Sequence, residues 1–176
     1  ALVHEGPVPA ARALQLLLPV CSALAAAHAR GIIHRDLKPE NIFLSRKSDH
    51  DVAKVVDFGI SKVKEKEAEQ VRLTRTGQLV GTPLYMSPEQ AKGDPVVDHR
   101  ADIYSLGVIL YEMVTGTPPF TGGNYFQLLW KHGNEVPESA AVRAPALQIP
   151  QSVSALIDRM LAKKAEDRFD SMDEVA

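Results

Sequence analysis

The chain of 176 residues predicts a mainly α domain that carries one small two-stranded β ribbon. Three observations lead there. A long stripe of apolar residues at helical spacing lies near the start, and a stretch that is apolar nearly all round lies near the centre. Between them, two short runs of strand formers are separated by a polar loop. With 45% hydrophobic and 24% charged residues, the composition is that of an ordinary globular protein with a sizeable core.

Pro7 and Pro9 lead into a helix of about residues 10–30, on which Leu14, Leu17, Leu18, Cys21, Leu24, Ala25 and His28 form one stripe. Pro19 sits inside it, where a kink is expected, and Gly31 ends it. The run after Arg12, "ALQLLLPVCSALAAAHA", mimics a secretory leader. Its helical period favours a helix with one buried face instead, and no apolar run reaches the roughly 18 residues of a membrane span. The chain begins at Ala1 without methionine and reads as an internal fragment.

Strands follow near 42–44 and 52–56, joined by "SRKSDHD". Residues 57–97 lack sustained periodicity and are rich in turn formers; "KVKEKEAEQ" within them reads as a solvated run. A loop of that length inside a domain is usually functional. "ADIYSLGVILYEMVTG" predicts a helix buried at the centre, broken by "TGTPPFTGG". Asn124 is positioned to cap a helix carrying Tyr125, Leu128 and Leu129, and Ser152 one carrying Leu156, Ile157, Met160 and Leu161. Ser171 and Glu174 form a capping-box pattern that opens a last helix.

The net charge of -2 argues against a nucleic-acid binder that relies on a broad basic field. Cys21 is the single cysteine, so no internal disulfide can form, which suits a reducing, cytoplasmic setting. His28, His50, His99 and His132 read as surface or packing histidines, and Tyr85, Tyr104 and Tyr111 as core.

The chemistry concentrates in "GIIHRDLKPENIFLS", where His34, Arg35, Asp36, Lys38, Glu40 and Asn41 are pinned between apolar flanks expected to be buried. Asp36 there and Asp57 in "VVDFG" each adjoin strand formers, with Asn41 between them. Oxygen ligands converging across a ribbon suit Mg²⁺, a hard ion that often shares phosphate oxygens with a substrate. Lys38 adds a mobile positive charge. An acceptor, an ammonium and a metal site are what phosphoryl transfer requires, because the protein mostly positions groups and neutralises charge. No metalloprotease helix, cysteine–histidine cluster or G-x-S-x-G elbow competes.

"HRDLKPEN" at 34–41 fits H-R-D-L-x-x-x-N, "DFG" stands at 57–59, and "GTPLYMSPE" at 81–89 ends in an A-P-E-like triplet. Together and in this order, they make the chain resemble the C-terminal lobe of a eukaryotic-like serine/threonine protein kinase over 1–176, most similar to bacterial members. The activation segment would be 57–89. The resemblance implies Asp36 as catalytic base, Lys38 on the transferred phosphate, and Asn41 and Asp57 on Mg²⁺, with Mn²⁺ as an alternative ion. It further implies Phe43 under the adenine of ATP, and Thr82 hydrogen-bonded to Asp36 and Lys38. Glu40 would read basic substrate residues or be structural.

The same resemblance gives scaffold roles to His34, Phe58 and Gly59, to Asp102 beneath the His34–Arg35 turn, and to a Glu89–Arg168 ion pair. Arg35 would pair phosphate on Thr74 or Thr76. Ser87 replaces the usual alanine of the triplet. The Gly-rich loop, the phosphate lysine and its glutamate do not occur, and Lys54 in "VAK" reads as a solvent-facing strand residue. This segment alone is therefore expected to be inactive. The implied partners are ATP, proteins with Ser or Thr acceptors, an N-terminal lobe and a second kinase copy as dimer; neither nucleic acid nor membrane is expected to touch this segment, although the parent protein is compatible with a membrane anchor elsewhere. A small-molecule phosphotransferase of the aminoglycoside-kinase type lacks the G-T-P…S-P-E segment, and a docking pseudokinase would not need Asp36, Lys38, Asn41 and Asp57 together.

Overall fold

The computed structural model describes residues 6–47, 50–58 and 83–176. Over these it is helical apart from one antiparallel pair. The elements are α1 (Ala10–His28), β1 (Ile42–Lys47), β2 (His50–Val55), α2 (Pro88–Lys92), α3 (Arg100–Thr115), α4 (Tyr125–Asn134), α5 (Ala140–Arg143), α6 (Gln151–Met160) and α7 (Met172–Val175). Short 3₁₀ turns stand at Pro39–Asn41, Pro145–Leu147 and Ala165–Asp167.

The central helix is α3. Ile103, Tyr104, Val108, Ile109 and Met113 on it are fully buried, and so is the charged Asp102. It packs against α1 and α6. Gly107 makes the second contact close: a Cβ there would lie 2.7 Å from Met160 Cβ, so only a hydrogen side chain lets the two helices meet at this point. Gly116, at φ 83, ends α3 in the left-handed conformation.

α1 is long and apolar enough to cross a membrane by length and composition. In the fold it is instead a core helix, burying Ala13, Leu16, Leu17, Val20, Cys21 and Leu24 and contacting β2, α3 and α7. The buried stripe is rotated from the expected one, because Leu18 is exposed and Leu14 only half-buried. The helix continues past Pro19 and stops at His28, and Gly31, at φ 70, completes the turn beyond it.

Both strands run further into the polar loop than expected, pairing Ile42 with Val55 through Lys47 with His50. Arg12 forms an ion pair with Asp51, which ties the ribbon to α1. The apolar flanks of the catalytic-looking loop are a correction too: Ile32, Phe43 and Leu44 are exposed, while Leu37 and Ile42 are buried. Asn124 caps α4 with a full capping box to Gln127. Ser152 is not a cap, since α6 starts a residue earlier behind Pro150, whose fixed φ suits a helix entry. Ser171 accepts from the Glu174 N–H as expected, but the Glu174 carboxylate turns back to the Asp170 N–H. Among the described residues of the stretch 57–97, the single-turn α2 is an element that periodicity could not show.

Candidate active site

The loop after α1 is organised around one buried carboxylate. Asp102, in the first turn of α3, accepts from the His34 N–H at 2.8 Å and from the Arg35 N–H at 2.9 Å, one on each oxygen. Its side chain is wholly buried, so those donors, with His28 Nε2 at 2.8 Å, replace water. They hold Arg35 at φ 64, a left-handed conformation that costs a non-glycine residue about 1–3 kcal/mol. Asp57, across the ribbon, is held at φ 55. Strain at these two residues marks the places where the fold over-determines the backbone.

The two strained residues are linked. The Asp36 N–H donates to His34 Nδ1 at 3.3 Å, so that nitrogen is an acceptor and the ring proton sits on Nε2. From there it donates to the Val56 carbonyl at 3.0 Å. The Val56 N–H in turn donates to the Asn41 carbonyl at 2.9 Å. The residue before Asp57 is thus clamped on both sides by the 34–41 loop. His34 also meets the ring of Phe58 at a tilt, with ring centroids 5.1 Å apart.

Asn41 is buried, and its Nδ2 donates to the Asp36 carbonyl at 2.8 Å. That fixes Nδ2 as the donor end and leaves Oδ1 as the acceptor, the end of the side chain a hard cation needs. Lys38 Nζ lies 3.3 Å from Asp36 Oδ2, with both side chains partly open to solvent. Phe43 is 59% exposed on β1, unlike a core phenylalanine. Lys54 is exposed, as expected for a strand lysine facing solvent. Thr82, Gly59, Thr74 and Thr76 lie outside the described residues.

The Glu89–Arg168 pair forms in bidentate geometry, with Nη1 and Nη2 each 2.8 Å from one carboxylate oxygen. Burial pushes Glu89 upward, but the hydrogen bonds and charge of Arg168 outweigh it and hold the carboxyl below its usual range. Sequence reasoning missed two contributors. Gln90 donates from Nε2 to the Arg35 carbonyl at 2.7 Å while its Oε1 accepts from the Ser87 N–H at 3.1 Å. "SPEQ" carries a legible capping-box signal, but the reach across to Arg35 has no local signature. The other is His28, read as packing, whose Nε2 meets Asp102.

A protein kinase domain family model matches residues 1–176. The chain is 44% identical over 168 residues to "Serine/threonine-protein kinase pkn3" of Myxococcus xanthus, covering 95% of this chain and 30% of that protein. It is 41% identical over 175 residues to "Serine/threonine-protein kinase PknB" of Mycobacterium tuberculosis, covering 99% and 27%. The chain thus spans less than a third of the length of these relatives. Among solved structures, "Crystal structure of Rad53 kinase domain and SCD2 in complex with AMPPNP" matches with a TM-score of 0.71 at 21% identity, over 96% of this chain and 58% of that one, a likeness of fold. With the family match running through every residue that forms the clamp, the chain belongs to the protein kinase domain family.

Proposed function

We propose that the chain is the C-terminal lobe of a serine/threonine protein kinase that moves the γ-phosphate of ATP to Ser or Thr hydroxyls of proteins. The observation that carries this is the pair of Lys38 Nζ and Asp36 Oδ2 at 3.3 Å, solvent-accessible, on a loop whose strained turn is fixed by a buried carboxylate. An accessible carboxylate and ammonium held that rigidly orient an incoming hydroxyl and meet the charge of a transferring phosphoryl group. Asp36 accepts or orients the hydroxyl proton. Lys38, its Nζ 3.3 Å from Asp36 Oδ2, contacts the phosphate.

Asn41 and Asp57 would hold Mg²⁺: Asn41 Nδ2 is held by the Asp36 carbonyl, which leaves Oδ1 as the ligand, and Asp57 presents an exposed carboxylate from a strained backbone. Bound there, the ion supplies charge neutralisation at the phosphates of ATP. Mn²⁺ suits the same oxygen donors. Exposed Phe43 provides an apolar floor for adenine, supplied with a roof by an N-terminal lobe. For that reason this lobe alone is inactive and binds ATP weakly. Arg35 Nε is buried without a hydrogen-bond partner among the described residues, which supports a role in pairing phosphate on Thr74 or Thr76.

In the full-length protein, Asp36→Asn lowers kcat by at least about 100-fold while the KM for ATP stays near wild type, because it removes proton acceptance and not nucleotide binding. Asp57→Ala instead abolishes productive Mg²⁺–ATP binding. Steady-state kinetics on a protein substrate decide this, and near-normal turnover by Asp36→Asn overturns the assignment.

A further inference from the structure

We infer that His28 is a positioning residue for the catalytic loop and acts through Asp102. Only the kinetic arm of its test rests on the kinase reading above. His28 is the last residue of α1, and its Nε2 lies 2.8 Å from Asp102 Oδ2, the oxygen that also accepts from the His34 N–H. Asp102 Oδ1 accepts from Arg35 N–H at 2.9 Å. Two of the three donors on this carboxylate therefore belong to the loop that the carboxylate positions. The terminal torsion of an aspartate is broad, so a carboxylate held by those two alone would turn as the loop turned. His28 is the donor that comes from elsewhere. It stands on a helix anchored by buried Cys21 and Leu24, and it fixes the carboxylate plane independently of the loop.

The ring makes no other hydrogen bond among the described residues. Its Nδ1 is buried and without a partner there. A proton on Nδ1 would be a buried, unanswered donor, so the ring proton belongs on Nε2 and points at Asp102. The ring meets that of His99 at a tilt, with centroids 5.3 Å apart, and His99 Nε2 is in turn 2.8 Å from the Asp170 carbonyl. If this position served packing alone, an apolar side chain would fill it without leaving a buried nitrogen unsatisfied. The imidazole is explained by the bond it makes.

The test uses three variants of the full-length protein. His28→Gln keeps an N–H donor near the place of Nε2, His28→Asn is too short to reach Asp102, and His28→Leu has no donor. Asn and Leu are expected to lower kcat about 10- to 100-fold with the KM for ATP within about twofold, and Gln to retain most activity. Hydrogen exchange at the His34 and Arg35 amides should quicken in the Asn and Leu variants and not in Gln. Wild-type kcat and exchange in His28→Leu overturn the inference. So does a Gln variant as impaired as Leu, or a loss that falls on KM alone. If the wild-type protein moves no phosphate from ATP to any Ser/Thr substrate, the kinase reading falls, and the exchange measurement decides the positioning role by itself.

Discussion

Arg168 is almost completely buried, yet each of its five N–H donors has an acceptor. Nε reaches the Ala162 carbonyl, Nη1 reaches Glu89 and the Arg100 carbonyl, and Nη2 reaches Glu89 and the Lys163 carbonyl. A buried cation is tolerable only with this completeness, because each unanswered partner would cost about 1–3 kcal/mol. The resemblance to a kinase made the Glu89–Arg168 pair and the role of Asp102 legible in advance. The three backbone carbonyls on Arg168 were not legible, since nothing in a sequence says which carbonyls a turn will aim inward. Lysine keeps the charge but has three donors and no fork. Arg168→Lys is therefore expected to destabilise the kinase domain by about 2 kcal/mol or more, and Arg168→Met, which strands Glu89, by about 3–5 kcal/mol. Urea unfolding with an unchanged m-value would measure both, and an Arg168→Lys midpoint equal to wild type would contradict the account.

Between elements, α3 and α6 meet closely at Gly107, where a Cβ would stand 2.7 Å from Met160 Cβ and 3.2 Å from Leu161 Cδ2. The Met160 contact is to the stem of its side chain, which cannot swing away, so the helices themselves must part. Gly107→Ala is expected to cost about 1–3 kcal/mol by overpacking, despite the better helix propensity of alanine. A thermal midpoint at or above wild type would show that α6 yields freely. On α1, burial pushes the Cys21 thiol up to about 11, so very little thiolate exists near pH 8. Iodoacetamide at that pH should leave Cys21 unmodified in the native protein and label it promptly in urea. Helix existence was readable at this scale because α1 has a helical period, α3 is a long stretch apolar nearly all round, and α4 opens on the Asn124 cap. The details that failed have physical causes. The stripe on α1 is rotated because hydrophobicity alone favours Leu18 for the buried face, whereas Leu18 is exposed and the smaller Ala13 is fully buried. Ser152 looked like a cap because its side chain favours that role, but the proline two residues before it already sets the entry geometry of α6. The single turn of α2 is too short to show a period, and its local signs were the Ser87–Gln90 capping box, Pro88 at its start and Gly93 at its end.

For the molecule as a whole, a buried hydrogen-bonded relay couples the central helix α3 to α4 and to the segment after α6. Lys163 Nζ donates to the Tyr104 hydroxyl at 3.2 Å and to the His132 carbonyl at 3.0 Å. The Tyr104 hydroxyl, 3.0 Å from His132 Nδ1, has its own proton left to donate to that nitrogen. His132 is thus an acceptor in a wholly buried site, edge-on to Phe120 and beside the Lys163 ammonium. Burial first, and then the Lys163 charge, pull its pKa down to about 4, from an ordinary value of 6.5. The direction of the pH effect follows from proton counts. Above about pH 6.5 His132 is neutral whether the chain is folded or not. Between about 6.5 and 4 the unfolded chain takes up a proton that the folded chain refuses, so stability falls as the pH falls, by on the order of 3 kcal/mol across that window. Below about 4 both states are protonated and this contribution is exhausted. The depressed Glu89 adds a loss of the same sign at lower pH, as its carboxylate is protonated away from Arg168. His132→Asn retains an acceptor near the Nδ1 position but cannot titrate. It should be less stable than wild type at pH 7, through the volume it gives up, and should show a flatter fall in unfolding midpoint between pH 6.5 and 4. Midpoints followed by circular dichroism across that range test the relay. A variant that loses stability toward acid as steeply as the wild type would place the acid sensitivity of the fold on other groups.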